Sequence, residues 1–196
     1  MTQIYINDFI KHNIPDEKIF ETDWLKNKFI NIIINHYYFN VSLFNSCEKD
    51  QIEKIKKEIK IYIQKLFNLA KKCNYELAYI ILLLDDLLIS KENMKELLQD
   101  LSGIKIISID HYTEKFKIFF AMISLIIGKY YDDLAMENIE YVNILKKLIN
   151  YKYQRTIYLN ELNKYEVQIL KMLEFHIKDK SVKFIKLYNE CIKNNI

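Results

Sequence analysis

Apolar residues recur along most of this chain at intervals of three and four, the spacing of one face of an α-helix. The clearest stretch covers 51–73. There Ile52, Ile55, Ile59, Ile63, Leu66, Ala70 and Cys73 are separated mainly by Lys and Glu, which predicts an amphipathic helix with one buried stripe. Asn74 is the natural break. A second helix is expected over 76–90, apolar almost all round until Asp85 and Asp86. Residues 91–109 read as a short helix and a loop around Gly103. Thr113 followed by Glu114 then suits the cap of an element that runs to 131. Its middle, 118–127, has no polar face beyond Ser124, so this helix is expected to be surrounded by others. Further helices are predicted over 139–149, over 159–175 after a polar loop at 150–155, and over 182–191 as a short closing element. Upstream, Pro15 suits a helix start. The less regular pattern over 16–44, with Trp24, Phe29 and Ile33, reads as one N-terminal helix.

Composition narrows the fold class. In 196 residues there are two Gly and one Pro, too few to supply the turns of a sheet protein. Half of the residues are hydrophobic and 28% are charged, as in a globular domain. The expectation is all-α, in one domain with an N-terminal extension. Basic residues are almost all Lys, Arg155 is the single Arg, and the net charge is +3. Phosphate and base recognition lean on Arg, so nucleic acid is not expected as a partner. Ile, Lys, Asn and Tyr, all with AT-rich codons, dominate the sequence, so its Lys clusters carry little meaning of their own. Lys54, Lys56, Lys57, Lys146 and Lys147 are expected on solvated helix faces. The Tyr excess suits core and interface positions that bury the ring and bond the hydroxyl.

Chemistry-bearing motifs are sparse. Cys47, Cys73 and Cys191 are odd in number and far apart, which reads as free thiols in a reducing compartment. His12, His36, His111 and His176 are scattered singly. There is no Gly-rich phosphate loop and no GxSxG or HExxH pattern. No signal peptide is evident, and the longest apolar run, 118–128, falls short of the roughly 18 residues of a membrane span. A protein of the nucleus or cytoplasm is therefore expected, with no membrane contact and no cofactor. Asp85-Asp86 and Asp132-Asp133 with Glu137 invite comparison with magnesium-dependent helical synthases. However, Leu87, Leu88 and Ile89 follow the first pair, with no further carboxylate to complete a site.

Glu166 and Lys129 are the charged residues that stand out. Leu162, Glu166, Ile169, Leu170 and Leu173 share one face of their helix, which puts a carboxylate on the apolar stripe. An ionised Glu there needs a solvated rim, an internal partner such as Lys129, or an interface, because burying it unpaired is costly. Lys129 follows more than two turns of apolar residues. At a helix end it would interact well with the dipole and reach water.

Several stretches in order resemble the cyclin box, most closely that of P-type, phosphate-regulon-like cyclins. Ile126-Ile127-Gly128-Lys129-Tyr130-Tyr131-Asp132-Asp133 is similar to the end of that family's third helix. Asn138 with Tyr141 and then Glu161-Leu162-Asn163-Lys164-Tyr165-Glu166 match its fourth and fifth. Tyr62-Ile63-Gln64-Lys65-Leu66 resembles its first helix, and Ala78-Tyr79-Ile80 through Asp85-Asp86-Leu87-Leu88 its second. The chain departs from the pattern at Gly128, where Ala is usual, and at Asp86, where the family prefers Arg.

The resemblance implies a single five-helix cyclin box over 51–193, preceded by an extension over 1–50 with one helix and closed by a short C-terminal helix. It implies a non-catalytic regulatory subunit that binds and activates a cyclin-dependent protein kinase. Carried over, Lys129 and Glu166 would hydrogen-bond the kinase backbone, with Tyr130, Leu170, Phe175 and Ile177 filling the apolar part of the contact. A cyclin-fold adaptor that never activates a kinase is the alternative. An apolar patch of this kind also allows self-association when no kinase covers it.

Overall fold

The computed structural model describes residues 23–35, 49–72, 75–89, 109–131, 136–148, 158–173 and 181–194. These residues form seven helices, and among them there is no strand. In chain order they are α1 (Asp23–Asn35), α2 (Lys49–Leu69), α3 (Tyr75–Ile89), α4 (Ile109–Tyr131), α5 (Asn138–Leu148), α6 (Leu159–Met172) and α7 (Ser181–Asn194). The all-helical class expected from the scarcity of Gly and Pro is therefore found. The short helix and Gly103 loop expected between α3 and α4 lie outside the described residues, as do Phe175 and Ile177.

Helix α4 is the centre of the packing, touching α2, α3, α5 and α6. Every residue from Ile118 to Ile127 is buried, because a helix with no polar side can be satisfied only by neighbours on all sides. Ser124, its polar exception, lies 3.3 Å by its hydroxyl from that of Tyr141 on α5. Phe120 gathers three aromatic rings around it, from Phe29 on α1 and from Tyr62 and Phe67 on α2. The N-terminal helix α1 is tied into the same core by Leu25, Phe29 and Ile30, and packs on α2, α3 and α7. Helix α7 returns to α3, where Phe184 stacks on Tyr79 at 4.4 Å. Among the described residues, no helix is long and apolar enough to cross a membrane.

Several helix ends differ from the sequence expectation, and α6 stops at Met172 where a run to 175 was expected. Helix α2 stops at Leu69, before Asn74, because Lys71 takes a left-handed backbone conformation (φ 52°) and the Lys72 amide bonds back to the Phe67 carbonyl at 2.9 Å. This is a Schellman-type stop with lysine where glycine is usual. Helix α4 begins at Ile109, so Thr113 and Glu114 lie within it and do not form its start. Glu114 instead joins Glu58 around the buried ammonium of Lys117, at 3.1 and 2.5 Å. Burial works against that charge, but the two carboxylates outweigh it and hold the Lys117 pKa above the usual lysine value. Finally, α7 runs to Asn194, a full 14-residue helix where a shorter one was expected.

Lysines expected on solvated faces are found there. Lys54, Lys57, Lys146 and Lys147 are exposed and Lys56 is half-buried, while Ile55 between them turns inward. Cys191 is buried with its thiol free. Cys47 and Cys73 lie outside the described residues.

Candidate functional site

The C-terminal end of α4 brings the two charged residues together. Lys129 lies in the last turn of α4, where a cation complements the helix dipole. Its ammonium is 2.7 Å from Glu166 Oε1 on α6. Of the three settings open to Glu166 from its helical face, the internal pair is realised, and its side chain is 13% exposed against 36% for Lys129.

Two asparagines complete the cluster. Asn138 Nδ2 donates to Glu166 Oε2 at 2.6 Å and to Asn163 Oδ1 at 2.7 Å. Both oxygens of Glu166 are thus engaged, one by an ammonium and one by an amide. Asn138 Oδ1 is itself buried, and among the described residues no donor reaches it. The amide cannot turn over to satisfy it without aiming that oxygen at two acceptors. Asn138 and Asn163 were legible as parts of a motif, but the bonds that Asn138 makes to Asn163 and Glu166 were not.

Local structure explains the placement. Helices α5 and α6 begin in the same way, with a glutamate in the first turn reaching back to a backbone amide that the helix leaves unbonded. Glu140 accepts from the Glu137 N–H at 2.9 Å, and Glu161 from the Tyr158 N–H at 3.0 Å. The first fixes the start of α5 and therefore Asn138, its first residue. The second fixes the start of α6, about two turns before Glu166. Helices α5 and α6 pack on each other and on α4, which closes the triangle around the cluster.

The apolar residues expected beside the pair are only partly in view. Tyr130 and Leu170 are half-buried and pack against the core from the same ends of α4 and α6. Leu170 stands one turn beyond Glu166. Of the carboxylates that invited a magnesium reading, Glu137 is exposed and its backbone is engaged at the start of α5. Asp132, Asp133 and the side chains of Asp85 and Asp86 lie outside the described residues. Among the described residues, no group of His, Cys, Asp and Glu is placed to hold a metal ion.

A second ion pair lies beneath the first. Lys72, just past the stop of α2, meets Glu76 in the first turn of α3 at 3.0 Å, and their side chains are 2% and 4% exposed. The room for it comes from Gly128, since a methyl group added there would fall on the Lys72 ammonium. The residue next to Lys129 is small because a buried lysine from another helix end occupies the space.

Compared with models of protein families, with curated proteins and with solved structures, the chain matches none of them. What the cluster does is therefore a question for its own geometry. It is a neutral, prepaid arrangement of one half-exposed ammonium and one recessed carboxylate, flanked by half-buried Tyr130 and Leu170. Among the described residues this corner offers no nucleophile–base pair.

Proposed function

We propose that the chain is a cyclin-like regulatory subunit, which docks a cyclin-dependent protein kinase at the exposed corner formed by the ends of α4 and α6. The observation that carries this is the meeting of Lys129 and Glu166. They are 37 residues apart in the chain, and their ionic groups come within 2.7 Å beside Tyr130 and Leu170. The resemblance to the cyclin box assigns the docking role to these same two residues. A central apolar helix enclosed by four others is also what a five-helix box requires, and α4 stands in that relation to α2, α3, α5 and α6. Catalysis would belong to the kinase, and this subunit would act by fixing the position of a regulatory helix.

The test is recovery of a kinase from the native organism by the wild-type chain and by the Lys129→Glu/Glu166→Lys double reversal. The reversal preserves an ion pair within the chain while inverting what a partner meets. Capture by the wild type alone, with phosphorylation of a generic substrate, is the expected result. The loss corresponds to about 2–5 kcal/mol of binding if the pair is desolvated in the complex. A kinase bound but inactive would favour the adaptor. Equal capture by both chains, or by neither, would contradict docking at this corner.

A further inference from the structure

We propose that the outward face of α7 is a second interaction surface, which takes a short acidic segment of another protein carrying apolar anchor residues.

Helix α7 has two opposed faces. Phe184, Leu187, Tyr188 and Cys191 are buried and hold it to the rest of the fold. On the other side, Val182, Ile185, Lys186, Asn189, Glu190 and Lys193 succeed one another at helical spacing and line a groove of about 400 Å³. Val182 is 81% exposed and Ile185 38%, so two branched apolar side chains stand in water one turn apart. Of the 14 residues of α7, three are Lys and one is Glu. Lys183, Lys186 and Lys193 are exposed, and among the described residues none of them has a carboxylate partner. The glutamate is already engaged, since Glu190 Oε2 accepts from Lys28 of α1 at 2.7 Å.

Lysine is abundant along the whole chain, so its number alone marks nothing. What sets α7 apart is lysine of one sign around apolar side chains left in water. Ile61 and Leu69 on α2, and Leu159 and Val167 on α6, are exposed among acids and lysines in mixture. The α7 pattern selects its occupant. Carboxylates on a partner meet lysines that have no acid of their own, while apolar side chains cover Val182 and Ile185. A second copy of this chain set against the same face would bring lysine against lysine. A bilayer needs an apolar helix face to bury, and that of α7 is committed to the core. Helix α7 packs on α3 and α1, so this surface and the corner at the ends of α4 and α6 are built from different elements.

The test is selection of a displayed library of random short peptides on the immobilised full-length chain, followed by affinity measurement on the enriched peptides. Peptides that combine Asp or Glu with Leu, Ile or Phe are expected, and their affinity should fall with added salt. Lys186→Glu/Lys193→Glu and Val182→Ser/Ile185→Ser should each weaken them about 10-fold or more, the first by reversing charge and the second by removing the anchors. All four side chains point away from the buried stripe, so both variants should match the wild type in urea titration. If the reversal does not fold, Lys186→Gln/Lys193→Gln reads the same loss. No enrichment, or enrichment of basic or uncharged peptides, would overturn the acidic class. Acidic peptides that bind both variants as tightly as the wild type would overturn the site. Dimers abolished by Val182→Ser/Ile185→Ser would make the occupant a second copy. Co-sedimentation with phosphatidylserine vesicles, abolished by Lys186→Glu/Lys193→Glu, would make it a lipid surface. Either result would overturn the assignment to a protein segment.

Discussion

Gly128 and Lys129 are neighbours in the chain, yet each faces a different ion pair. Beneath Gly128, Lys72 and Glu76 are sealed, at 2% and 4% exposure. Beside it, Lys129 and Glu166 remain open on the lysine side, at 36% and 13%. Distance does not distinguish them, since both pairs lie at ordinary ion-pair separations, 3.0 and 2.7 Å. Solvent does. A sealed pair has already lost its hydration on folding, so breaking it leaves a bare charge in the core. An open pair loses hydration only when something covers it, so its energy is available for a partner. One helix end therefore lies against a pair sealed from solvent and, one residue later, contributes to a pair still open to it.

The largest expected effect breaks the sealed pair. Glu76→Gln should destabilise the chain by about 3–5 kcal/mol in urea titration, whereas Lys129→Met should cost the free chain only about 0.2–1 kcal/mol. If the Glu76 variant does not fold, Lys72→Met/Glu76→Leu, which removes both charges, should restore folding. Next comes the space that the sealed pair occupies. Gly128→Ala should cost about 1–3 kcal/mol in the wild type, where the methyl displaces Lys72. In a Lys72→Ala background the same change should stabilise by up to about 1 kcal/mol, since alanine is the better helix former. A sign that does not reverse would detach Gly128 from Lys72.

Two smaller effects concern features around these pairs. Lys117 is a third lysine held by carboxylates, and its pKa is raised in the folded chain. Its contribution is then fully present below the unfolded lysine value of about 10.4, and is lost as pH rises through the higher folded value. Cys191, pushed by burial up to about 11, adds alkaline destabilisation of the same sign. Urea titrations of wild type, Lys117→Met and Cys191→Ala between pH 9 and pH 11 should show shallower pH dependence in each variant. The smallest effect is a gain. Lys71→Gly relieves a left-handed lysine at an exposed site and should stabilise by about 0.5–1 kcal/mol, without affecting either pair.

Much of the fold can be read from apolar periodicity, and the failures have a common cause. The ten residues from Ile118 to Ile127 announce a surrounded helix, because nothing in them could face water. The stop of α2 is hidden, because it depends on the backbone conformation of Lys71, and lysine gives no sign of it. Thr113 looks like a cap, but the helix extends a further turn upstream. Within the site, Glu166 stood out because a carboxylate interrupts an apolar stripe, and Lys129 because it ends one. Asn138 and Asn163 are short polar side chains at a helix start and on an exposed turn, where periodicity is silent about bonding. Lys72 is the plainest case. In a pattern of Lys and Glu between Ile residues it belongs to the solvated face, and only the tertiary path past Gly128 buries it.

The division between the sealed and the open pair is tested most directly by measuring Glu76→Gln and Lys129→Met side by side, for stability in urea and for affinity to the kinase that the wild type recovers. The account predicts a crossed result. The Glu76 variant should lose stability but keep kinase affinity per folded molecule, while the Lys129 variant should keep stability and lose affinity about 30-fold. Parallel losses of both quantities in both variants would contradict it.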